Sequence, residues 1–95
     1  MVWSDDIVQK VWEKGRIVKG NDKNRWRMDE CGAWIGSEEY GNRQSQYGWE
    51  IDHINPDGDD QLSNLQPLQW QNNIDKSDGR LKCHVTAKGK KNVQK

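Results

Sequence analysis

The stretch YGWEIDHINPDG, residues Tyr47–Gly58, decides how the rest of the sequence is interpreted. Its first half alternates as a β-strand does, so Glu50 and Asp52 are expected on one face and His53 on the other. The Pro and Gly that follow are typical of a strand end and a turn. Asp52 and His53 can therefore serve one site only if the strand ends or twists there.

The composition predicts a single domain over residues 1–95 with a small hydrophobic core. Apolar and charged residues each make up 32% of the chain, and six Trp with no Phe indicate that indoles fill much of the interior. The alternative for some of these rings is an adhesive surface. No stretch resembles a membrane span, and the N-terminus is too acidic and polar for a signal peptide. The protein is therefore expected in the cytoplasm, away from membranes.

The two cysteines, Cys31 and Cys83, predict neither a disulfide framework nor a structural zinc site, because neither belongs to a C-x-x-C pair. The alternative is half a zinc site formed by Cys83 and His84. The chain is otherwise expected to compensate for its small size in some other way.

The formal charge is zero, but the charges are unevenly distributed along the chain. Residues 5–78 hold all fifteen acidic side chains and nine basic ones, whereas residues 80–95 hold six basic side chains and no acid. This basic tail is interpreted either as a solvated, frayed end or as an arm that contacts phosphates without sequence preference.

The N-terminal extension, residues 1–48, predicts a helix followed by a hairpin. The segment SDDIVQKVWEKG places Ser4 as the N-cap, acidic side chains in the first turn and apolar residues on one face. Gly15 is expected to end this helix. The segment RWRMDECGAWIG predicts two short strands around a turn near Glu30–Gly32.

The C-terminal half predicts a strand, a loop, a second strand and a helix, which makes the fold class α+β. LQPLQ is a short extended segment, and WQNNIDKSD predicts a helix of about two and a half turns. On that helix Asn73, Lys76 and Ser77 share one face, and Asn73 lies in the first turn. If strand and helix pack side by side, the carboxylate of Asp52 and the amide oxygen of Asn73 approach the same point.

These two oxygens suggest a chemistry for the site. Oxygen ligands suit a hard divalent cation whose remaining ligands are water and a substrate phosphate. The neighbouring His53 is then placed to take a proton from water, as a mostly neutral imidazole can.

Three spaced motifs, EIDHINP, LSNLQPL and QNNIDKSDG, resemble the signature of the HNH endonucleases, which have the ββα-metal (His-Me finger) fold. The resemblance covers the motif core, residues 49–79. In that family the residue before the first motif His binds metal, and the His activates the attacking water. The loop Asn holds the geometry, and the third motif position supplies another ligand. By position these roles fall, in that order, on Asp52, His53, Asn64 and Asn73.

The resemblance implies hydrolysis of DNA phosphodiester bonds with one divalent cation, in an H-N-N variant of the motif. Asn73 stands where the family commonly has His, which favours Mg²⁺ or Mn²⁺ over Zn²⁺ or Ni²⁺. The C-x-x-C pairs that hold structural zinc in many relatives are missing from the sequence. Structural zinc is therefore not expected.

Each assignment has a plainer alternative. His53 could be a hydrogen-bonded structural residue, Asn64 could simply turn the loop, and Asn73 could cap the helix. Lys76 is interpreted as neutralising charge on the cleaved phosphate, with solvated surface as its alternative. Glu50 is expected to be exposed and not a partner of the site.

Several basic residues are candidates for contact with DNA phosphates, although each could be ordinary surface. They are Arg25, Arg27, Arg43, Arg80 and Lys82. A chain this short leaves little room for a recognition domain, so any specificity would come from a homodimer or from a larger phage or defence partner. The competing function is a nucleic-acid-binding module of the same fold with a silent active site.

Overall fold

The computed structural model describes residues 3–74, 76 and 79–95. Within these ranges, two short helices and three antiparallel strand pairs form an α+β fold, which confirms the predicted class. The helices are α1 (Asp5–Trp12) and α2 (Trp70–Asn73). The strands are β1 (Trp26–Met28), β2 (Trp34–Gly36), β3 (Trp49–His53), β4 (Leu65–Gln69), β5 (Val85–Lys88) and β6 (Lys91–Gln94).

The predicted N-terminal helix and hairpin both form. Ser4 caps α1, because its Oγ accepts a hydrogen bond from the backbone N–H of Ile7 at 3.2 Å. The helix ends at Trp12, three residues before the predicted Gly15. A Cβ at Gly15 would lie 3.1 Å from the Cβ of Arg27. This glycine therefore allows a close approach to β1 and does not end the helix.

The core lies between α1 and the hairpins. Its central buried cluster consists of Val11, Trp12, Ile35, Trp49 and Leu65. The rings of Trp12 and Trp49 lie 5.6 Å apart, and the indole N–H of Trp49 donates to the carbonyl of Gly36 at 2.9 Å. Burying an indole with its polar group satisfied is how a small domain gains large apolar contacts without a desolvation cost. The expectation of an indole-rich interior is confirmed.

The strands β3 and β4 pair antiparallel, from Trp49 opposite Gln69 to His53 opposite Leu65, and α2 follows β4 directly. Gln69 is the N-cap of α2, since its side-chain oxygen accepts from the backbone N–H of Gln71 at 2.7 Å. The interpretation of Asn73 as a helix cap is therefore wrong.

The second helix is shorter than the sequence predicts. It ends at Asn73, after a single turn, and Lys76 lies outside it. Ile74, the one apolar side chain of the following segment, is 53% exposed. Because packing of an apolar face supplies most of the stability of a helix, the exposed Ile74 gives the end of α2 little support. The rest of that expectation falls on Asp75, Ser77 and Asp78, which lie outside the described residues.

The basic tail is a hairpin. β5 and β6 pair antiparallel, with Lys88 opposite Lys91, and Gly89 takes a φ of 61° at the first of the two turn positions. The hairpin is attached to β2 because the Asn92 amide exchanges two hydrogen bonds with the backbone of Trp34, at 2.7 and 2.9 Å. The interpretation of this segment as a frayed end is wrong, since tertiary contacts hold it.

A buried carboxylate joins the N-terminal hairpin to the rest of the fold. Asp29, in the turn between β1 and β2, is 2% exposed. Its Oδ1 accepts from the backbone N–H groups of Cys31 and Ala33, both at 2.9 Å. Its Oδ2 accepts from the backbone N–H of Gln69 at 2.9 Å and from the side chain of Asn72 at 3.0 Å. The turn is thereby fixed to the junction of β4 and α2.

Two further links attach the C-terminal hairpin. The side-chain oxygen of Asn72 accepts from the backbone of His84 at 2.7 Å and of Val85 at 2.9 Å. Cys31 and Cys83 form a disulfide across a sequence separation of 52 residues. The expectation that the two cysteines make no disulfide framework is wrong, because the fold brings the β1–β2 turn beside the segment before β5. The alternative of half a zinc site at Cys83 fails with it.

Neither helix of the described ranges has the length and apolar character needed to cross a bilayer.

Candidate active site

Asp52 is held at the end of β3 by two long side chains. Its Oδ2 accepts from the ammonium of Lys76 at 2.7 Å and from the amide of Gln66 at 2.9 Å. The side chains of Lys76 and Asp52 are 7% and 9% exposed. Gln66 lies directly opposite Asp52 on β4, where cross-strand neighbours meet. The pair is therefore shielded from water and supported from the neighbouring strand.

Lys76 also joins this pair to the backbone beside it. Its Nζ donates to the carbonyl oxygen of His53 at 2.7 Å. The interpretation of Lys76 as solvated surface is wrong, because its ammonium lies between a carboxylate and a main-chain carbonyl. It fixes the strand end that carries Asp52 and His53.

Glu50 lies on the same face of β3 and holds a second set of partners. Arg43 donates two hydrogen bonds to its carboxylate, at 2.7 and 2.9 Å, and the Asn73 amide donates a third at 3.0 Å. The hydrogen bond from Arg43 lowers the pKa of Glu50 against the opposing effect of burial, and Asn73 adds to the lowering. The side chain is only 21% exposed. The expectation that Glu50 is merely exposed is wrong.

His53 is oriented by a carboxylate that the sequence analysis did not single out. Its Nε2 lies 2.6 Å from Oδ1 of Asp60, and its ring lies 5.9 Å from that of Trp3. A neutral imidazole that donates from Nε2 to a carboxylate keeps Nδ1 as its proton acceptor. The described contacts do not bring this imidazole together with the carboxylate of Asp52, because the two side chains leave β3 on opposite faces.

Asn64 closes the loop between β3 and β4. Its side-chain oxygen accepts from the backbone N–H of Asn55 at 2.9 Å, and its amide donates to the carbonyls of Asn55 and Asp59 at 3.1 and 2.9 Å. A Cβ at Gly58 would lie 2.6 Å from that amide, so the loop needs glycine there. These contacts are those expected of a residue that turns the loop and fixes its shape.

The oxygens available for a cation are few. Within the described residues, Oδ1 of Asp52 and the side-chain oxygen of Asn73 accept no hydrogen bond. The same residues contain no group of three or more His, Cys, Asp or Glu side chains that could hold a metal ion. The Lys76 ammonium beside Asp52 further weakens the attraction for a cation. Two such oxygens would leave most positions around a hard divalent ion to water and phosphate.

The candidates for phosphate contact differ in what their side chains already bind. Arg43 is engaged with Glu50, and its guanidinium lies 5.9 Å from the ring centroid of Trp70. Arg27 is 5% exposed and donates to three backbone carbonyls, so the interpretation of Arg27 as a phosphate contact is wrong. Arg80 and Lys82 are exposed on the segment before β5.

Two residues that contact the site, Asp60 and Gln66, were not predicted from the sequence. Gln66 could have been found from the strand register, because it is the residue opposite Asp52 in the pairing of β3 with β4. Nothing in the sequence predicts the contact between Asp60 and His53, because a separation of seven residues across an irregular loop does not determine the distance between two side chains.

No protein-family model matches this chain, and neither a curated protein nor a solved structure matches it.

Proposed function

We propose that this chain is a metal-dependent endonuclease of the HNH type, which hydrolyses DNA phosphodiester bonds, and that β3, β4 and α2 form its ββα-metal unit. One observation carries the proposal. Lys76 contacts both the carboxylate of Asp52 and the backbone of His53, so the strand end that bears both motif residues is fixed from the segment that follows α2. Such a fixed strand end is what a reaction with a positioned base requires.

His53 is the general base of the proposed reaction. Asp60 holds Nε2, and Nδ1 then accepts a proton from a water that attacks phosphorus. Asn64 keeps the loop that carries Asp60 close to the strand end through its bonds to Asn55 and Asp59. His53 and Asn64 therefore act as base and positioning residue, respectively.

Asp52 and Asn73 would hold the divalent cation, Mg²⁺ or Mn²⁺, with their remaining oxygens. When bound, such an ion neutralises charge that develops on the phosphate and on the leaving oxygen. Glu50 orients the amide of Asn73, and Lys76 orients the carboxylate of Asp52. Arg43, Arg80 and Lys82 remain the proposed contacts to the DNA backbone, and the cytoplasm remains the proposed compartment.

A silent nucleic-acid-binding module is the second candidate function. It is favoured by the placement of His53 and Asp52 on opposite faces of β3 and by the Lys76 ammonium on the proposed metal ligand. The two functions differ in one measurable respect, because only the nuclease converts DNA to nicked or linear products.

The test is incubation of the purified protein with supercoiled plasmid in Mg²⁺, in Mn²⁺ or in EDTA. We expect nicked or linear products with either metal and none with EDTA. The variant His53→Ala should fold normally and lose about 10²- to 10⁴-fold in rate, the usual contribution of a general base. The matched control is His84→Ala, which alters the other histidine of the chain and leaves the proposed base in place. Equal cleavage by His53→Ala and the parent would remove His53 from the mechanism.

A further inference from the structure

A concave site lies between the N-terminal and C-terminal hairpins, and none of the proposed catalytic residues lines it. It is a cavity of about 250 Å³ lined by Asn21, Trp26, Trp34, Tyr47 and Lys90. Pockets for drug-sized ligands usually measure about 300–1,000 Å³, so this cavity suits a smaller group such as a single planar ring system. We refer to these five residues as the aromatic pocket.

The rings of the aromatic pocket are held in fixed positions by the fold. The indole N–H of Trp34 donates to the carbonyl of Gly89 at 2.7 Å, and the hydroxyl of Tyr47 donates to the carbonyl of Lys90 at 2.8 Å. Trp26 packs edge-to-face with Tyr47, with ring centroids 4.9 Å apart. Trp34 is only 7% exposed, and the guanidinium of Arg25 lies 4.4 Å from the ring centroid of Trp26. The apolar ring surface left to a ligand is therefore that of Tyr47 and the uncovered part of Trp26.

The hairpin turn at the edge of the aromatic pocket is basic. Lys90 lies in the turn of the β5–β6 hairpin, and Lys88 and Lys91 pair with each other on either side of it. Lys95 follows β6 at the other end of the hairpin, where its backbone N–H donates to the carbonyl of His84. Residues 80–95 contain no acidic side chain to offset them. Aromatic rings beside a row of cations are the combination that binds single-stranded nucleic acid, because bases stack on the rings while phosphates meet the charges.

We propose that the aromatic pocket receives one unpaired nucleobase of a single-stranded nucleic acid, with Lys90 and its neighbouring lysines on the adjoining phosphates. A paired base cannot enter, because its faces are covered by its neighbours in the duplex stack. The chain would therefore prefer DNA with unpaired bases over uniform duplex. This site is separate from the proposed catalytic residues, and binding at it does not depend on cleavage.

The test measures binding in EDTA, so that cleavage plays no part. Three fluorescent probes of equal length are compared by anisotropy: single-stranded oligothymidylate, the same backbone with abasic sugars, and a duplex. We expect the oligothymidylate to bind on the order of 10- to 100-fold more tightly than the abasic strand, which is the usual range for base stacking on an aromatic residue. Equal affinity for the two strands would overturn the proposal, since only charge would then be recognised.

Matched variants locate the binding. Tyr47→Leu should lose most of the preference for bases, whereas Tyr47→Phe, which keeps the ring, should retain it. Lys90→Ala should weaken binding more than Lys95→Ala does, although each removes one charge, because only Lys90 lines the pocket. Circular dichroism checks that each variant folds. If Tyr47→Leu unfolds, the comparison of Lys90→Ala with Lys95→Ala tests the location of the site instead. Equal losses for Lys90→Ala and Lys95→Ala would contradict the proposed location.

Discussion

Asp29 and Asp52 are both buried carboxylates, 2% and 8% exposed, but they are surrounded by different partners. Both oxygens of Asp29 are occupied by four neutral donors, three of them backbone N–H groups. Among the residues that the structure describes, Asp52 instead accepts hydrogen bonds at Oδ2 alone, from the long side chains of Lys76 and Gln66. A carboxylate whose two oxygens are both fully hydrogen-bonded to backbone donors cannot bind a ligand. A carboxylate with one oxygen free and with flexible side chains as partners can bind one.

The two carboxylates also differ in how the surrounding structure accommodates their negative charge. Burial raises the pKa of Asp29 above its ordinary value, and its hydrogen bonds, that from Asn72 foremost, oppose this only in part. No cation pairs with Asp29 among the described residues, while Asp52 forms an ion pair with Lys76. Asp29 therefore organises the fold, whereas Asp52 is the carboxylate to which the proposed function assigns a ligand.

The largest expected effect comes from removing the saturated carboxylate. Asp29→Ala leaves four donors without an acceptor, and each buried unsatisfied donor costs about 1–3 kcal/mol, so the loss should be at least about 4 kcal/mol. Asp52→Ala should cost less, because it removes the acceptor of only two donors and Lys76 keeps its hydrogen bond to the His53 carbonyl. Urea unfolding of both variants measures the difference. Equal stability of the two would break the distinction drawn between these carboxylates.

The disulfide should contribute almost as much as the Asp29 network. A bond that closes a loop of 52 residues is expected to stabilise the fold by about 4 kcal/mol through the entropy of the unfolded chain. Urea unfolding with and without a phosphine reductant tests this. The double variant Cys31→Ser with Cys83→Ser should have a lower free energy of unfolding than the parent, and the reductant should not change it. Disulfides are rare in a reducing cytosol, so titrating free thiols in protein taken directly from cells also tests the proposed cytoplasmic location.

A third prediction sharpens the metal assignment at Asn73. Asn73→Asp places a second carboxylate beside Glu50, which should cost about 1–4 kcal/mol without metal and be recovered by Mg²⁺ or Mn²⁺. Asn73→Ala should gain no such metal dependence, and Asn73→His should shift the preference toward Zn²⁺ or Ni²⁺. Thermal unfolding at increasing metal concentration measures this without reference to activity. If Asn73→Asp and Asn73→Ala respond to Mg²⁺ alike, Asn73 is not a ligand.

The smallest effect concerns acid unfolding. Because the pKa of Glu50 is lowered, its contribution to stability is present above the ordinary value of 4.5 and is lost as the pH falls through its folded value. Asp29 acts in the opposite sense, since a raised pKa makes the folded state take up the proton first. Glu50→Gln should therefore lose less stability than the parent on acidification, by about 1 kcal/mol or less. The control is Glu38→Gln, at an exposed ion pair with Arg25, and an identical acid response of both variants would contradict the prediction.

Much of the candidate site could be predicted, because its residues lie close together in sequence. Alternation within β3 placed Glu50 and Asp52 on one face, and the turn residues after His53 ended the strand where the structure ends it. The partners Asp60 and Gln66 were missed because they depend on the shape of a loop and on the register of a second strand.

By itself, the sequence determined the local elements: the capped α1, the hairpin of β1 and β2, and the strands β3 and β4. These depend on capping, alternation and turn residues, which act over a few positions. The tertiary structure alone decided that Cys31 and Cys83 meet, that Asp29 is saturated, and that the basic tail pairs into a hairpin against β2. These contacts join residues some 40 to 60 positions apart, and only the packing of the whole chain brings such residues together.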